Sequence, residues 1–218
     1  MRAAIFDLDG TLADTSQDLI AAANACFDRP VLDPVADRRL AFRGGKVMLR
    51  AGLERLGTPG EDEVERRYPL LLAHYAENLD RHTRLYDGVV PALEALAAAG
   101  WRLGVCTNKP HDLAEELLTR LAIRPRFAAM LGAGALAVRK PDPAHLLETI
   151  ARSGGQRDRA VLIGDTETDR AAARNAAVPC VLVSFGPEGR EVGALTPEAL
   201  LDHYDDLPAL LDRLIPDL

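Results

Sequence analysis

Near the N-terminus two carboxylates stand two residues apart, in Asp7-Leu8-Asp9-Gly10-Thr11-Leu12. They follow the apolar run Ala3-Ala4-Ile5-Phe6, which reads as a strand. At that spacing and place both side chains can face one side. Two carboxylates so close repel each other unless a cation joins them or one keeps its proton. A hard divalent cation such as Mg²⁺ suits an all-oxygen site. Gly10 lets the backbone turn sharply and approach a ligand closely. The same letters also describe an ordinary turn, because Asp and Gly favour turns. The pair alone does not decide its role.

Three further segments set polar groups directly behind an apolar run. Trp101 to Cys106 leads into Thr107-Asn108-Lys109-Pro110. The hydroxyl and amide there can donate to phosphate oxygens, or simply cap a helix. Lys140 lies in Arg139-Lys140-Pro141-Asp142-Pro143, where two prolines stiffen the chain around it. Its ammonium can neutralise a phosphoryl group and a carboxylate attacking it. Val161-Leu162-Ile163 leads into Gly164-Asp165-Thr166-Glu167-Thr168-Asp169. Asp169 falls near a helix start, where negative charge also suits the helix dipole. Of the 26 basic residues only three are Lys, namely Lys46, Lys109 and Lys140. In a chain that uses Arg by default, each Lys marks a place where a compact point charge can matter.

The elements that must position these groups alternate. Apolar runs at 3–6, 101–106, 130–131, 161–163 and 180–183 are separated by helical patterns at 91–99, 113–121, 143–152 and 169–177, with a closing helix at 207–214. That alternation predicts an α/β fold with a parallel sheet. In such a sheet ligands bind beyond the carboxyl ends of the strands, so the polar segments converge on one edge. Between Thr15 and Arg84 no strand-like run occurs, and helical patterns fill 18–27, 46–56 and 61–79. An ordinary crossover is far shorter. The expectation is a core made of residues 1–14 and 85–218 with a helical domain, 15–84, inserted after the first strand.

Composition bounds the partners. The net charge of −7 and pI near 5.3 disfavour broad affinity for nucleic acid or anionic membrane, which need a positive surface. The longest uncharged run, Phe127 to Val138, is too short to span a bilayer and reads as core. Cys26, Cys106 and Cys180 form no pair motif and read as reduced thiols of a cytoplasmic protein. Asp7 and Asp9 interrupt any apolar leader at once. The five histidines show no metal-ligand spacing. His74 and His82 read as solvated, and His111 opens the helix behind Thr107.

The four motifs, in this order and each behind a strand, resemble those of the haloacid dehalogenase-like superfamily: Asp7-x-Asp9-Gly10-Thr11, Thr107, Lys140 and Gly164-Asp165-x-x-x-Asp169. The resemblance covers nearly the whole chain. It implies a Rossmann-like core with an inserted helical cap, and Mg²⁺. It also implies Asp7 as nucleophile, Asp9 as acid and then base, and Thr107 and Lys140 as holders of the phosphoryl group. The metal would bind Asp7, the backbone carbonyl of Asp9 and Asp165, with Asp169 ligating directly or through water. Asp9-Gly10-Thr11-Leu12-Ala13-Asp14-Thr15, Thr107-Asn108-Lys109-Pro110 and Lys140-Pro141-Asp142-Pro143 resemble most the phosphoglycolate phosphatase branch. Arg43-Gly44-Gly45-Lys46 resembles its Gly-rich substrate loop, so those four residues and Asn108 would bind substrate. The implied substrate is a small phosphorylated metabolite, and the implied assembly a monomer or homodimer. A sugar phosphomutase, pyrophosphatase or nucleotidase would share these motifs. A cap also implies hinge motion near Thr15 and Arg84.

Overall fold

The structure, a computed structural model, describes residues 1–217. Strand β1 (Ala3–Phe6) ends at the acidic pair and is followed by the short β2 (Ala13–Asp14). Four helices come next: α1 (Ser16–Asn24), α2 (Arg38–Ala41), α3 (Gly45–Arg55) and α4 (Glu61–Glu77). Strand β3 (Arg84–Leu85) precedes α5 (Val89–Ala98), β4 (Arg102–Pro110), α6 (His111–Arg120) and β5 (Ala129–Ala133). Then come α7 (Pro143–Arg152), β6 (Ala160–Gly164), α8 (Glu167–Ala176), β7 (Cys180–Val183), β8 (Ala199–Leu201) and α9 (Leu207–Leu214).

The chain divides into two compact units, Met1–Ala13 with Leu85–Leu218, and Asp14–Arg84. In the first, six parallel strands run in the order β5-β4-β1-β6-β7-β8. The order reverses at β1, so its carboxyl end is the switch point where open α/β sheets bind ligands. Register sets the levels there. Phe6 lies opposite both Val105 and Ile163, so Asp7 emerges level with Cys106 and Gly164.

Strands β1, β6 and β7 are buried along their whole length, as parallel strands covered on both faces must be. On one face Ile5, Leu162 and Leu182 share a cluster with Leu146 and Ile150 of α7 and Ala172 and Ala173 of α8. Each such large side chain contributes about 1.5–3 kcal/mol by leaving water. The cluster therefore supports the site from beneath. Helix α7 starts where Asp142 accepts the Ala144 N–H and Pro143 takes the first turn, a position where a missing N–H costs nothing.

In the helical unit Ile20, Leu49, Leu53, Leu71 and Tyr75 are buried. Asp18 is buried and accepts the N–H groups of His82 and Thr83 and the Thr83 hydroxyl. One carboxylate thus ties the start of α1 to the segment that leads out of the unit. The Arg55 guanidinium holds the Asp37 carboxyl below its ordinary range, through bonds of 2.6 Å.

Several expectations are corrected. Residues 127–138 are only half core: Phe127, Met130 and Leu131 are buried, whereas Gly134 and Ala137 are exposed. The edge strand β8 carries too few residues to show a pattern. Strand β4 continues through Thr107 to Pro110, beyond its apolar run. His74 is half-buried rather than solvated, and its buried Nδ1 has no hydrogen-bond partner among the described residues. Among the described residues no helix is long and apolar enough to cross a membrane.

Candidate active site

Three carboxylates gather at the carboxyl end of the central strands. Asp7 follows β1, Asp165 follows β6, and Asp169 lies in the first turn of α8. One oxygen of each lies within 4.8 Å of the others, and all three residues are buried. Lys140 Nζ stands 3.0 Å from Asp7 Oδ1 and 2.6 Å from Asp169 Oδ1, with its side chain fully enclosed. Ionised, three carboxylates and one ammonium leave two negative charges uncompensated.

Local sequence explains each position. Gly10 takes φ 82°, in the left-handed region that side chains avoid. It turns the chain directly after the acidic pair. The turn is closed by bonds from the Leu12 and Ala13 N–H groups to Leu8 O and from Gly10 N–H to Ala13 O. Asp169 is fixed by a capping box: Thr166 Oγ1 accepts the Asp169 N–H, while Asp169 Oδ2 accepts the Thr166 N–H at 3.1 Å. Asp169 Oδ2 also accepts the Asp165 N–H and the Thr166 hydroxyl. Both of its oxygens are therefore engaged, one by Lys140 and one by the helix start. Gly164 permits this, because a Cβ there would stand 2.4 Å from Asp169 Cγ.

Asp165 differs. Its Oδ1 accepts the Thr11 hydroxyl at 2.8 Å, but its Oδ2 is buried with no hydrogen-bond partner among the described residues. A bare buried carboxylate oxygen is costly unless a cation fills the site. The all-oxygen donor set and the two uncompensated charges fit a hard divalent ion. Without one the acids suffer. Burial first, then the charges of Asp169 and Asp9, pushes Asp7 up to about 6 against the pull of Lys140. Burial, Asp169 and Asp7 hold Asp165 well above the ordinary carboxylate range. Burial alone would lower Lys140, yet Asp169 and Asp7 outweigh it and keep the ammonium above its ordinary value.

The structure brings Asp7, Lys140, Asp165 and Asp169 together. The Asp9 carboxylate stands outside that cluster and pairs instead with Lys109, whose Nζ lies 3.0 Å from Oδ1. Thr107 is buried, and its Oγ1 accepts the Lys109 N–H at 3.1 Å. No hydrogen bond among the described residues uses the Thr107 hydroxyl proton. Asn108 Nδ2 donates to Lys140 O at 2.9 Å, so this amide already pins the lysine loop. Its Oδ1 is buried with no hydrogen-bond partner among the described residues. Arg43, Gly44, Gly45 and Lys46 belong to the helical unit at the start of α3. There Lys46 is bound by Glu65 at 2.6 Å and lies over the Tyr68 ring. His111 Nδ1 accepts the Gly132 N–H and so ties α6 to β5.

Three contributors carried no sequence signal specific to their part. Thr11 orients Asp165. Tyr204, buried near the C-terminus, donates to Thr11 O at 2.9 Å and so holds the same turn. Lys109 was visible as one of three lysines and as part of Thr107-Asn108-Lys109-Pro110, with nothing to mark Asp9 as its partner.

Comparison with known proteins follows this geometry. The family model described as haloacid dehalogenase-like hydrolase matches residues 4–183. The phosphoglycolate phosphatase of Mesorhizobium japonicum is 39% identical over 216 residues, covering 97% of this chain and 95% of its own. That of Agrobacterium fabrum is 38% identical over 217 residues, covering 97% and 93%. Among solved structures, a predicted phosphoglycolate phosphatase from Haemophilus somnus superposes with a TM-score of 0.86 at 27% identity, over 96% of this chain and 97% of that one.

Proposed function

The chain belongs to the haloacid dehalogenase-like hydrolases, and on that premise we propose that it is a Mg²⁺-dependent phosphomonoesterase. It acts through an aspartyl-phosphate on a small anionic metabolite, 2-phosphoglycolate first, in the cytoplasm, as a monomer or homodimer. The observation that carries this reading is the buried triad of Asp7, Asp165 and Asp169 around Lys140, with Asp165 Oδ2 bare. The substrate is suggested by the curated relatives' names.

Asp7 attacks phosphorus in line, and the bond from phosphorus to the leaving oxygen breaks. Asp9 gives its proton to that oxygen. Asp9 then takes a proton from water, which attacks phosphorus and releases Asp7 with inorganic phosphate. Lys140 and the Thr107 hydroxyl neutralise and hold the transferring oxygens, and such positioning dominates phosphoryl transfer. Asp7, Asp165 and the Asp9 carbonyl would hold the metal, with Asp169 behind them. Bound there, it supplies charge neutralisation for the phosphoryl oxygens. Residues 15–84 would serve as the cap, and Arg43, Gly44, Gly45, Lys46 and Asn108 would bind substrate.

The test is phosphate release from 2-phosphoglycolate, sugar phosphates, nucleotides and pyrophosphate, with and without Mg²⁺, beside Asp7→Asn. Metal-dependent release that Asp7→Asn abolishes is expected, greatest for 2-phosphoglycolate. Release that persists in Asp7→Asn would overturn the mechanism. A flat profile across monoesters would overturn the substrate.

A further inference from the structure

We propose that Lys109 is a positioning residue for Asp9, holding that carboxyl group where its proton reaches the leaving oxygen; this rests on the phosphomonoesterase reading above. Lys109 Nζ lies 3.0 Å from Asp9 Oδ1 and 3.3 Å from Oδ2, so it spans both oxygens. The lysine side chain is 3% exposed, and that of Asp9 19%. A buried ammonium needs a counterion, and the Asp9 carboxylate, the conjugate base of the proton donor, is one that Lys109 holds.

The arrangement is built into the fold. Thr107 and Lys109 lie in the last part of β4, between Cys106 and Pro110, where the register against β5 shifts, and both are buried. Thr107 Oγ1 accepts the Lys109 N–H, which fixes the residue that holds the phosphoryl group and the residue that holds the acid relative to each other. The backbone of the 8–13 turn is closed by its own hydrogen bonds. Among the described residues no hydrogen bond from that turn restrains the Asp9 side chain, and Lys109 is its hydrogen-bond partner. Two of the chain's three lysines thus divide the two catalytic carboxylates. Lys140 serves Asp7 on the phosphoryl side, and Lys109 serves Asp9 on the leaving-group side. The proton passes from an Asp9 oxygen to the bridging oxygen of the ester, and the Lys109 ammonium neither gains nor loses one.

A leaving-group comparison tests this. The nitrophenolate of p-nitrophenyl phosphate departs without help from an acid, whereas an alkyl oxygen needs the proton. Wild type, Lys109→Met, Asp9→Asn and the double variant are assayed with p-nitrophenyl phosphate and 2-phosphoglycolate at saturating Mg²⁺. Lys109→Met is expected to lower kcat at least about tenfold more on the alkyl ester than on the aryl ester, with KM little changed. Added to Asp9→Asn it is expected to cost no more than about twofold further, because residues that act as a unit are not additive. Equal losses on both esters would make Lys109 merely structural, a loss confined to KM would make it a substrate ligand, and a full loss on the Asp9→Asn background would uncouple the pair. Each outcome overturns the proposal. Lys109→Gln replaces Lys109→Met should the latter fail to fold. A crystal structure of the variant decides independently of turnover. The Asp9 carboxyl group is expected to leave its position, and an unmoved, singly ordered Asp9 would overturn the assignment. If wild type hydrolyses neither ester, it is the phosphomonoesterase reading that fails, and the crystallographic arm still judges the Lys109 contact.

Discussion

Thr11 Oγ1 donates a 2.8 Å hydrogen bond to Asp165 Oδ1, and both residues are fully buried. The hydroxyl takes one oxygen of the carboxylate and leaves the other, which has no hydrogen-bond partner among the described residues, for a cation. Groups that orient a metal ligand typically set about 10–100-fold of metal affinity. Thr11→Val, which keeps the shape and removes the donor, is expected to raise the Mg²⁺ concentration for half-maximal activity by about that factor. Thr11→Ser should restore most of it. Mg²⁺ titrations of turnover, backed by calorimetry, check this, and an unchanged midpoint in Thr11→Val would refute the orienting role.

Acidity at the triad links metal to stability. Asp7 is pushed up to about 6, mainly by burial, and Asp165 stands well above the ordinary range. An unfolded Asp titrates near ~3.9. For a folded value above the unfolded one, the group's contribution is intact below the unfolded value and is lost as pH rises through the folded one. Metal-free protein should therefore lose stability from this site between about pH 4 and pH 6 and beyond. The cation binds the ionised acids, so its stabilisation should grow over the same window. Thermal midpoints with EDTA or Mg²⁺ at about pH 5 and pH 7.5 measure it. A Mg²⁺ increment that is equal at both pH values would contradict the account.

Lys140 is the fully enclosed partner of both Asp7 and Asp169. Deleting one member of a buried ionic cluster leaves the other charges uncompensated, typically at about 3–5 kcal/mol. Lys140→Met is expected to cost that much in metal-free urea denaturation and to abolish turnover. Saturating Mg²⁺ should recover part of the stability and none of the activity. Lys140→Arg should not rescue, since the longer guanidinium has no space in a site with 0% side-chain exposure. A stable, active Lys140→Met would show that the ammonium is dispensable.

Much of this was legible in the sequence because the determinants are local. β1 and β7 match their apolar runs residue for residue, and α9 spans its expected 207–214. Asp7 and Asp165 sit directly behind such a run, Asp169 lies in the first turn of the helix that follows, and Lys140 lies in the loop between β5 and α7, so the sheet's topology could gather them. What stayed hidden depends on pairs distant in sequence. The Thr11–Asp165 bond spans 154 residues and the Lys109–Asp9 pair 100. Nothing in either local sequence names its partner. Asn108 shows the same limit. Its type and place suggested a ligand for substrate, and only the fold reveals that its Nδ2 also donates to the Lys140 carbonyl.

Gly164 makes a sharper test of the acidic geometry. A Cβ at this position would meet Asp169 Cγ at 2.4 Å and Asp169 Cβ at 2.5 Å. Asp169 cannot retreat without giving up Lys140 or the capping bonds with Thr166. Gly164→Ala is expected to lower stability by about 1–3 kcal/mol, the usual cost of overpacking, and to reduce kcat far more than that loss would suggest. Chemical denaturation and steady-state kinetics on the same preparation check both. Wild-type kcat in Gly164→Ala would mean that the position of Asp169 is not critical.

His145 supplies a pH test away from the metal ligands. It lies in the first turn of α7, is 0% exposed, and has neither ring nitrogen hydrogen-bonded among the described residues. Burial, and then the Lys140 ammonium, lowers its imidazole to about 4. The unfolded ring titrates near ~6.5. With the folded value depressed, stability is complete above about 6.5 and is lost as pH falls toward about 4, by up to about 3 kcal/mol. His145→Leu removes both the titration and the unpaired polar atoms, and replacing unsatisfied groups by apolar ones of similar size is nearly neutral. The variant should match wild type within about 1 kcal/mol at neutral pH and exceed it near pH ~5. Denaturation curves at the two pH values decide the matter: parallel pH dependence in the two proteins would mean that His145 does not contribute to acid sensitivity.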